Sequence, residues 1–139
     1  MNILLAVDGS RHTKRMLAYL AAHDELFTAG QSYRVIAAVP QVPPIVVAQV
    51  GKEAAKAYYD DEGEKILAPV RKFFEQQGLK VPCQFKVGAP ADVILKAAAK
   101  DTDLVVMGSH GHTALGNLVM GSVSTKVLAE SPVPVLIVR

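Results

Sequence analysis

Between Gly108 and Ser124 the chain reads Gly-Ser-His-Gly, then nine residues, then Gly-Ser-Val-Ser. Gly108 and Gly111 let the backbone turn sharply and leave no Cβ between main-chain amides and a bound anion. Gly121-Ser122 then opens a helical segment whose first N–H groups lack intrahelical acceptors and whose dipole favours negative charge. The Ser122 and Ser124 hydroxyls can donate to phosphate oxygens, and Lys126 follows one turn later. The pattern reads as a phosphate cradle made of backbone. The insert His112–Met120 carries no basic residue other than His112, so the amides must do most of the holding. A plainer use stays open, in which Gly108 ends a strand and Gly121-Ser122 caps a helix; it leaves Gly111 without a purpose. No Gly-Lys-Ser/Thr occurs and only one glycine follows the first strand, which excludes a Walker loop and a dinucleotide fingerprint.

Asp8 is the second candidate. It can coordinate Mg²⁺ or accept from a ribose hydroxyl, or Asp8-Gly9-Ser10 is a strand-to-helix turn closed by an Asx bond. A phospho-acceptor role is rejected, because no aspartate follows the third strand and no lysine follows the fifth. His110 and His112 read as solvent-facing loop residues near a ligand. A zinc site needs at least three ligands, and no cysteine lies near them. Cys83 reads as a small core residue, since no base accompanies it. Tyr58, Tyr59 and the apolar run Ile45–Val50 can form a flap, a partner surface or ordinary core.

The elements that must position these residues are legible in the hydrophobic pattern. Ile3–Val7, Val35–Val39, Leu104–Met107 and Val133–Val138 are nearly continuous apolar runs, as in parallel strands covered on both faces. Val81–Gly88 alternates instead and contains Pro82, which suits a sheet edge. Helices are expected from Arg11 to about His23 behind a Ser10 cap, and from about Lys52 to Gln77. Pro69 should kink or split the second of these. Shorter helices should run from Pro90 to Lys100 and from Ser122 to Glu130. Pro40–Val50 is left irregular and is oddly apolar for a loop. The order β-α-β-α-β-α-β-α-β is a doubly wound α/β fold with a parallel sheet.

The whole chain, residues 1–139, fits one domain. A net charge of +2, no basic run longer than two and sparse aromatics exclude a nucleic-acid footprint. One cysteine permits no internal disulfide, and the opening Met-Asn-Ile-Leu-Leu-Ala-Val-Asp has neither a basic n-region nor a long apolar run. A cytoplasmic protein without a membrane span is therefore expected.

The spacing Gly-x2-Gly-x9-Gly-Ser after a strand resembles the universal stress protein family, and in particular its ATP-binding branch. So do Val-Asp-Gly-Ser at the end of the first strand and Pro-Val-Pro-Val-Leu-Ile-Val near the C-terminus. The resemblance covers the whole chain. It implies a five-stranded sheet in order 3-2-1-4-5 with helices on both faces, and ATP bound with Mg²⁺. Carried over, Asp8 meets the ribose or metal side of the nucleotide and the Val39 backbone meets the adenine edge. Met107 and Gly108 line the ribose, while Gly111, Gly121, Ser122, Val123 and Ser124 hold phosphates. In such a sheet the topological switch lies between strands 1 and 4, where Asp8 and Gly108 meet. Val133–Val138 is then an apolar edge that invites pairing, and the family implies a homodimer through it. The expected function is nucleotide binding in regulation or stress response. A slow ATPase or nucleotidyl-transfer enzyme is one alternative, disfavoured because the loop offers histidines and Lys126 but no arginine. A ligand-free interaction module is another.

Overall fold

The apolar runs become the sheet because residues such as Leu4, Leu5, Val105 and Val106 can lose contact with water only if both faces are covered. All four are at most 1% exposed. The computed structural model describes residues 1–23, 25, 30–112 and 119–139. Five strands, β1 (Asn2–Val7), β2 (Ser32–Val39), β3 (Cys83–Val87), β4 (Leu104–Gly108) and β5 (Val135–Val138), pair in order β3-β2-β1-β4-β5. Every pairing is parallel, with Ile3 opposite Tyr33 on one side and Leu104 on the other. The expected fold class and strand order are the observed ones.

Two helices cover each face. Helix α1 (Arg11–Ala22) and α3 (Lys52–Gln76) bury Met16, Leu20, Leu67, Val70 and Phe74 against Ile3, Leu5 and Val35. Helix α4 (Pro90–Ala98) and α5 (Ser122–Glu130) bury Ala91, Ile94 and Val127 against Leu4, Ile36 and Val105. The Ser10 side chain caps α1 by accepting from the His12 N–H at 3.2 Å. At the amino ends of the strands, Arg34 of β2 donates to the carbonyls of Ala97 and Lys100 and to the Thr102 hydroxyl, tying off the C-terminus of α4. The Asn2 N–H donates to Asp103 Oδ2 at 2.7 Å beside it. No helix among the described residues is long and apolar enough to cross a membrane.

Three local expectations change. Pro69 does not split α3, which runs unbroken for 25 residues. Pro69 lies on the exposed side, where water can satisfy the carbonyl it frees, while Leu67, Val70 and Phe74 hold both halves to the sheet. Pro40–Val50 is not wholly irregular: it contains α2 (Pro44–Val50), started by Pro44 in the first turn and ended by Gly51 at φ +90°. None of α2 is buried, and Ile45, Val50 and Tyr58 are 70%, 54% and 49% exposed, so these three are not core. The Tyr59 hydroxyl instead accepts the Val42 N–H at 2.9 Å and anchors the segment to α3. In β3 the alternation holds for Cys83 and Phe85 but fails at Val87, which is exposed.

Helix α3 lies so close to β3 that Gly63 has no room for a side chain: a Cβ there would stand 2.2 Å from the Phe85 ring. An alanine in mid-helix normally stabilises by about 1 kcal/mol over glycine, but overpacking costs about 1–3 kcal/mol. Gly63→Ala is therefore expected to destabilise the protein in urea titration, and Phe85→Leu in the same chain to restore part of the loss. A more stable Gly63→Ala variant would show that the ring simply swings aside.

Candidate functional site

A cleft of about 600 Å³ opens at the carboxyl ends of β1 and β4. Asp8 forms its floor. The Asp8 N–H donates to Thr13 Oγ1 at 3.0 Å, and that hydroxyl returns a bond to Asp8 Oδ1 at 2.9 Å. The Ser10 N–H donates to the same Oδ1 at 2.9 Å. The Asx turn expected at Asp8-Gly9-Ser10 is present. Oδ1 closes the turn, and Oδ2 lies on the side of Gly111, 2.7 Å from where a Gly111 Cβ would be. Gly9, at φ +76°, supplies the left-handed step between strand and helix.

The glycines of the loop have separate causes. A Cβ on Gly108 would meet His12 Cβ at 2.8 Å and the His12 carbonyl oxygen at 3.3 Å, so Gly108 lets α1 settle on the end of β4. Gly111 makes room for the Asp8 carboxylate. The Gly121 N–H donates to the Ser109 carbonyl at 2.8 Å, which folds the chain back onto the start of α5. No side chain among the described residues caps α5, and Ser122, Val123 and Ser124 line the cleft at its first turn. Ser124, however, is buried, and its hydroxyl donates to the carbonyls of Ser109 at 2.7 Å and Gly121 at 3.1 Å. Its single proton is committed within the protein, so in this arrangement Ser124 offers an amide and no hydroxyl donor. Of the insert His112–Met120, residues 113–118 lie outside the described residues.

Met107 and Gly108 line the cleft. Val39 does not. Its side chain is buried and its carbonyl accepts the Gly88 N–H at 2.9 Å, while its neighbours Ala38 and Pro40 reach the lining. Lys126 also stays away, pairing with Asp92 at 2.9 Å and Glu130 at 4.0 Å on the outside of α5. Three lining residues come from α3 and had no signal in the sequence beyond helical spacing. Glu62, Lys65 and Ile66 stand at i, i+3 and i+4 on one face. Ile66 packs over Gly9, and Lys65 Nζ bonds Glu62 Oε1 at 3.0 Å. Ile36, Pro90 and Ile94 complete an apolar end of the cleft.

The histidines differ from one another. His112 Nε2 lies 2.6 Å from the Asp8 carbonyl oxygen, an acceptor, so this nitrogen carries the hydrogen. His110 lines the cleft, with Nδ1 2.8 Å from Ser109 Oγ. His12, within the first turn of α1, is buried with its ring 5.1 Å from that of His110, and its Nδ1 has no partner among the described residues. Burial, then His110, Arg11 and Arg15 push its pKa below the ordinary 6.5, against a weaker pull from Asp8. Burial pushes the Cys83 thiol up, as suits a packed residue. Among the described residues no three His, Cys, Asp or Glu side chains gather as a metal site.

The family model described as "Universal stress protein family" matches residues 1–139. A Thermus aquaticus universal stress protein is 40% identical over 142 residues, covering 99% of this chain and 97% of its own. Universal stress protein MJ0577 of Methanocaldococcus jannaschii has a solved structure that superposes with a TM-score of 0.82 at 28% identity, covering 99% of this chain and 94% of that one. A universal stress protein family member from Arabidopsis thaliana, solved with AMP bound, superposes with a TM-score of 0.69 at 18% identity, covering 99% and 90%.

The buried His12 makes stability depend on pH. Its folded-state pKa lies below its unfolded value, so the native state binds fewer protons, and stability is full above pH 6.5 and lost as pH falls through the lowered value. The urea midpoint should drop between about pH 7.5 and 5.5, and His12→Gln should flatten that drop. Equal slopes in the two proteins would show that other groups carry it.

Proposed function

The chain belongs to the universal stress protein family, and we propose that it is a nucleotide-binding regulatory member that holds ATP in the β1/β4 cleft. The observation that carries this reading is the first turn of α5, uncapped by any side chain among the described residues and set in the same cleft as the Asp8 carboxylate. Free amides at a helix N-terminus favour an anion, and the phosphates belong on the Gly111, Gly121, Ser122 and Val123 side, with the Ser124 amide beside them. The apolar end formed by Ile36, Ala38, Pro40, Pro90 and Ile94 suits a flat base, and Met107 and Gly108 suit the ribose. The AMP held by the Arabidopsis relative supports the adenine class.

Asp8 fits Mg²⁺ only in part. With Oδ1 taken by Ser10 and Thr13, Oδ2 is the oxygen left to offer. A magnesium ion here would draw its remaining ligands from phosphates and water, and would neutralise part of the phosphate charge. No arginine lines the cleft among the described residues, so any hydrolysis should be slow. The protein would work in the cytoplasm, which suits a chain with one cysteine.

Mass spectrometry of the small molecule that co-purifies is expected to report an adenine nucleotide, and calorimetry to show ATP binding. A protein that carries nothing and shows no heat with millimolar ATP would overturn the reading. Gly111→Val, which drives a side chain into the Asp8 carboxylate, should weaken ATP at least about tenfold with the circular dichroism spectrum unchanged. Two copies are proposed to pair through Val133–Val138, whose β5 has a strand partner on one side only. Light scattering that gives the mass of one chain at micromolar concentration would refute the dimer.

A further inference from the structure

A triphosphate carries several negative charges, and the cleft already holds two carboxylates, Asp8 and Glu62. Against them stands one strong cation. Lys65 is the only Lys or Arg among the described residues of the lining, and residues 113–118, Thr-Ala-Leu-Gly-Asn-Leu, contain neither. Lys126, the cation nearest in sequence, is held outside by Asp92 and Glu130. The helix that carries Lys65 is fixed by the residues on either side of it. Gly63 presses against Phe85, Ile66 packs over Gly9, and Gly9 in turn lies beside His112. The face of α3 that carries Glu62, Lys65 and Ile66 thereby borders the cleft next to Gly9 and His112.

The geometry points to Lys65 as the residue that reads phosphate charge in this cleft, with Glu62 as the internal anion that a phosphate must displace. This rests on the nucleotide reading above. The Lys65–Glu62 bond is of a kind that breaks easily: the side chains are 73% and 36% exposed, and such pairs are screened by salt. A polyphosphate offers more charge and more acceptor oxygens than one carboxylate, so the exchange favours it. An uncharged nucleoside gains nothing from Lys65 and has no anion to compete with Glu62. The pair would therefore grade ligands by phosphate number: triphosphate above monophosphate, and monophosphate above nucleoside.

The test is calorimetry of the full chain with ATP, AMP, adenosine and inorganic triphosphate, each at two salt concentrations. The proteins compared are wild type, Lys65→Met, Lys65→Arg and Glu62→Gln. Lys65→Met should weaken ATP and inorganic triphosphate about tenfold, leave adenosine within about twofold, and make the salt dependence of ATP shallower. Lys65→Arg should recover most of the loss, and Glu62→Gln should strengthen ATP. Thermal unfolding of Lys65→Met should match wild type, because the side chain is exposed. An unchanged ATP affinity, or a parallel loss for ATP and adenosine, would overturn the role of Lys65 while leaving the nucleotide site standing. Wild-type binding of inorganic triphosphate without adenosine or ATP would overturn the nucleotide site, and its loss in Lys65→Met would still support Lys65. Wild-type binding of none of the four would overturn both.

Discussion

The carboxylate of Asp8 is bonded before any ligand could reach it. One oxygen accepts from the Ser10 N–H and the Thr13 hydroxyl, and that hydroxyl accepts the Asp8 N–H in return. These three bonds set how the chain leaves β1, where α1 starts and which way the second carboxylate oxygen points. The rest of the site follows from them. The placing of α1 brings His12 onto Gly108, and Oδ2 then occupies the space that a side chain at residue 111 would need. A change at Asp8 would therefore disturb the helix cap, the helix position and the loop together, and loss of a bound nucleotide would be the mildest of its effects.

Much of this was legible in the sequence, because some residue types have few other uses. Continuous Val, Ile and Leu runs imply strands with no wet face, and glycines near a helix start imply close backbone approach. What could not be read were the interactions whose partners are distant in sequence. Gly108 looks like a ligand-facing glycine and is explained by His12, 96 positions away. Ser124 looks like a phosphate donor until its two carbonyl acceptors are known. Lys65 looks like any solvated helix lysine, and only the packing of α3 across the cleft distinguishes it from Lys126. Pro69 illustrates the converse. A rule about helix interiors gave way to three large buried side chains on the other face.

The nucleotide reading has a local counterpart in how polar groups are satisfied. Side-chain hydroxyls near the cleft are mostly spent on the protein itself: Ser10 on α1, Thr13 on Asp8, Ser109 beside His110 and Ser124 on two carbonyls. Among the described residues, what remains on offer is main chain at α5, the exposed Ser122 hydroxyl, one oxygen of Asp8 and the Lys65–Glu62 pair. On the nucleotide reading, selectivity would rest on shape and total charge more than on many directed side-chain bonds.

The opposite end of the sheet is built on another principle. Arg34 gathers the carbonyls at the end of α4, and Asp103 holds the first strand by its Asn2 amide. The strands are thus anchored where they begin and bordered by turns and helix starts where they finish. The finishing end is where the buried polar side chains gather: Ser10, His12, Thr13, Ser109 and Ser124 all lie there. A ligand at that rim would meet polar side chains already held by the protein, so its arrival would ask little rearrangement of the sheet.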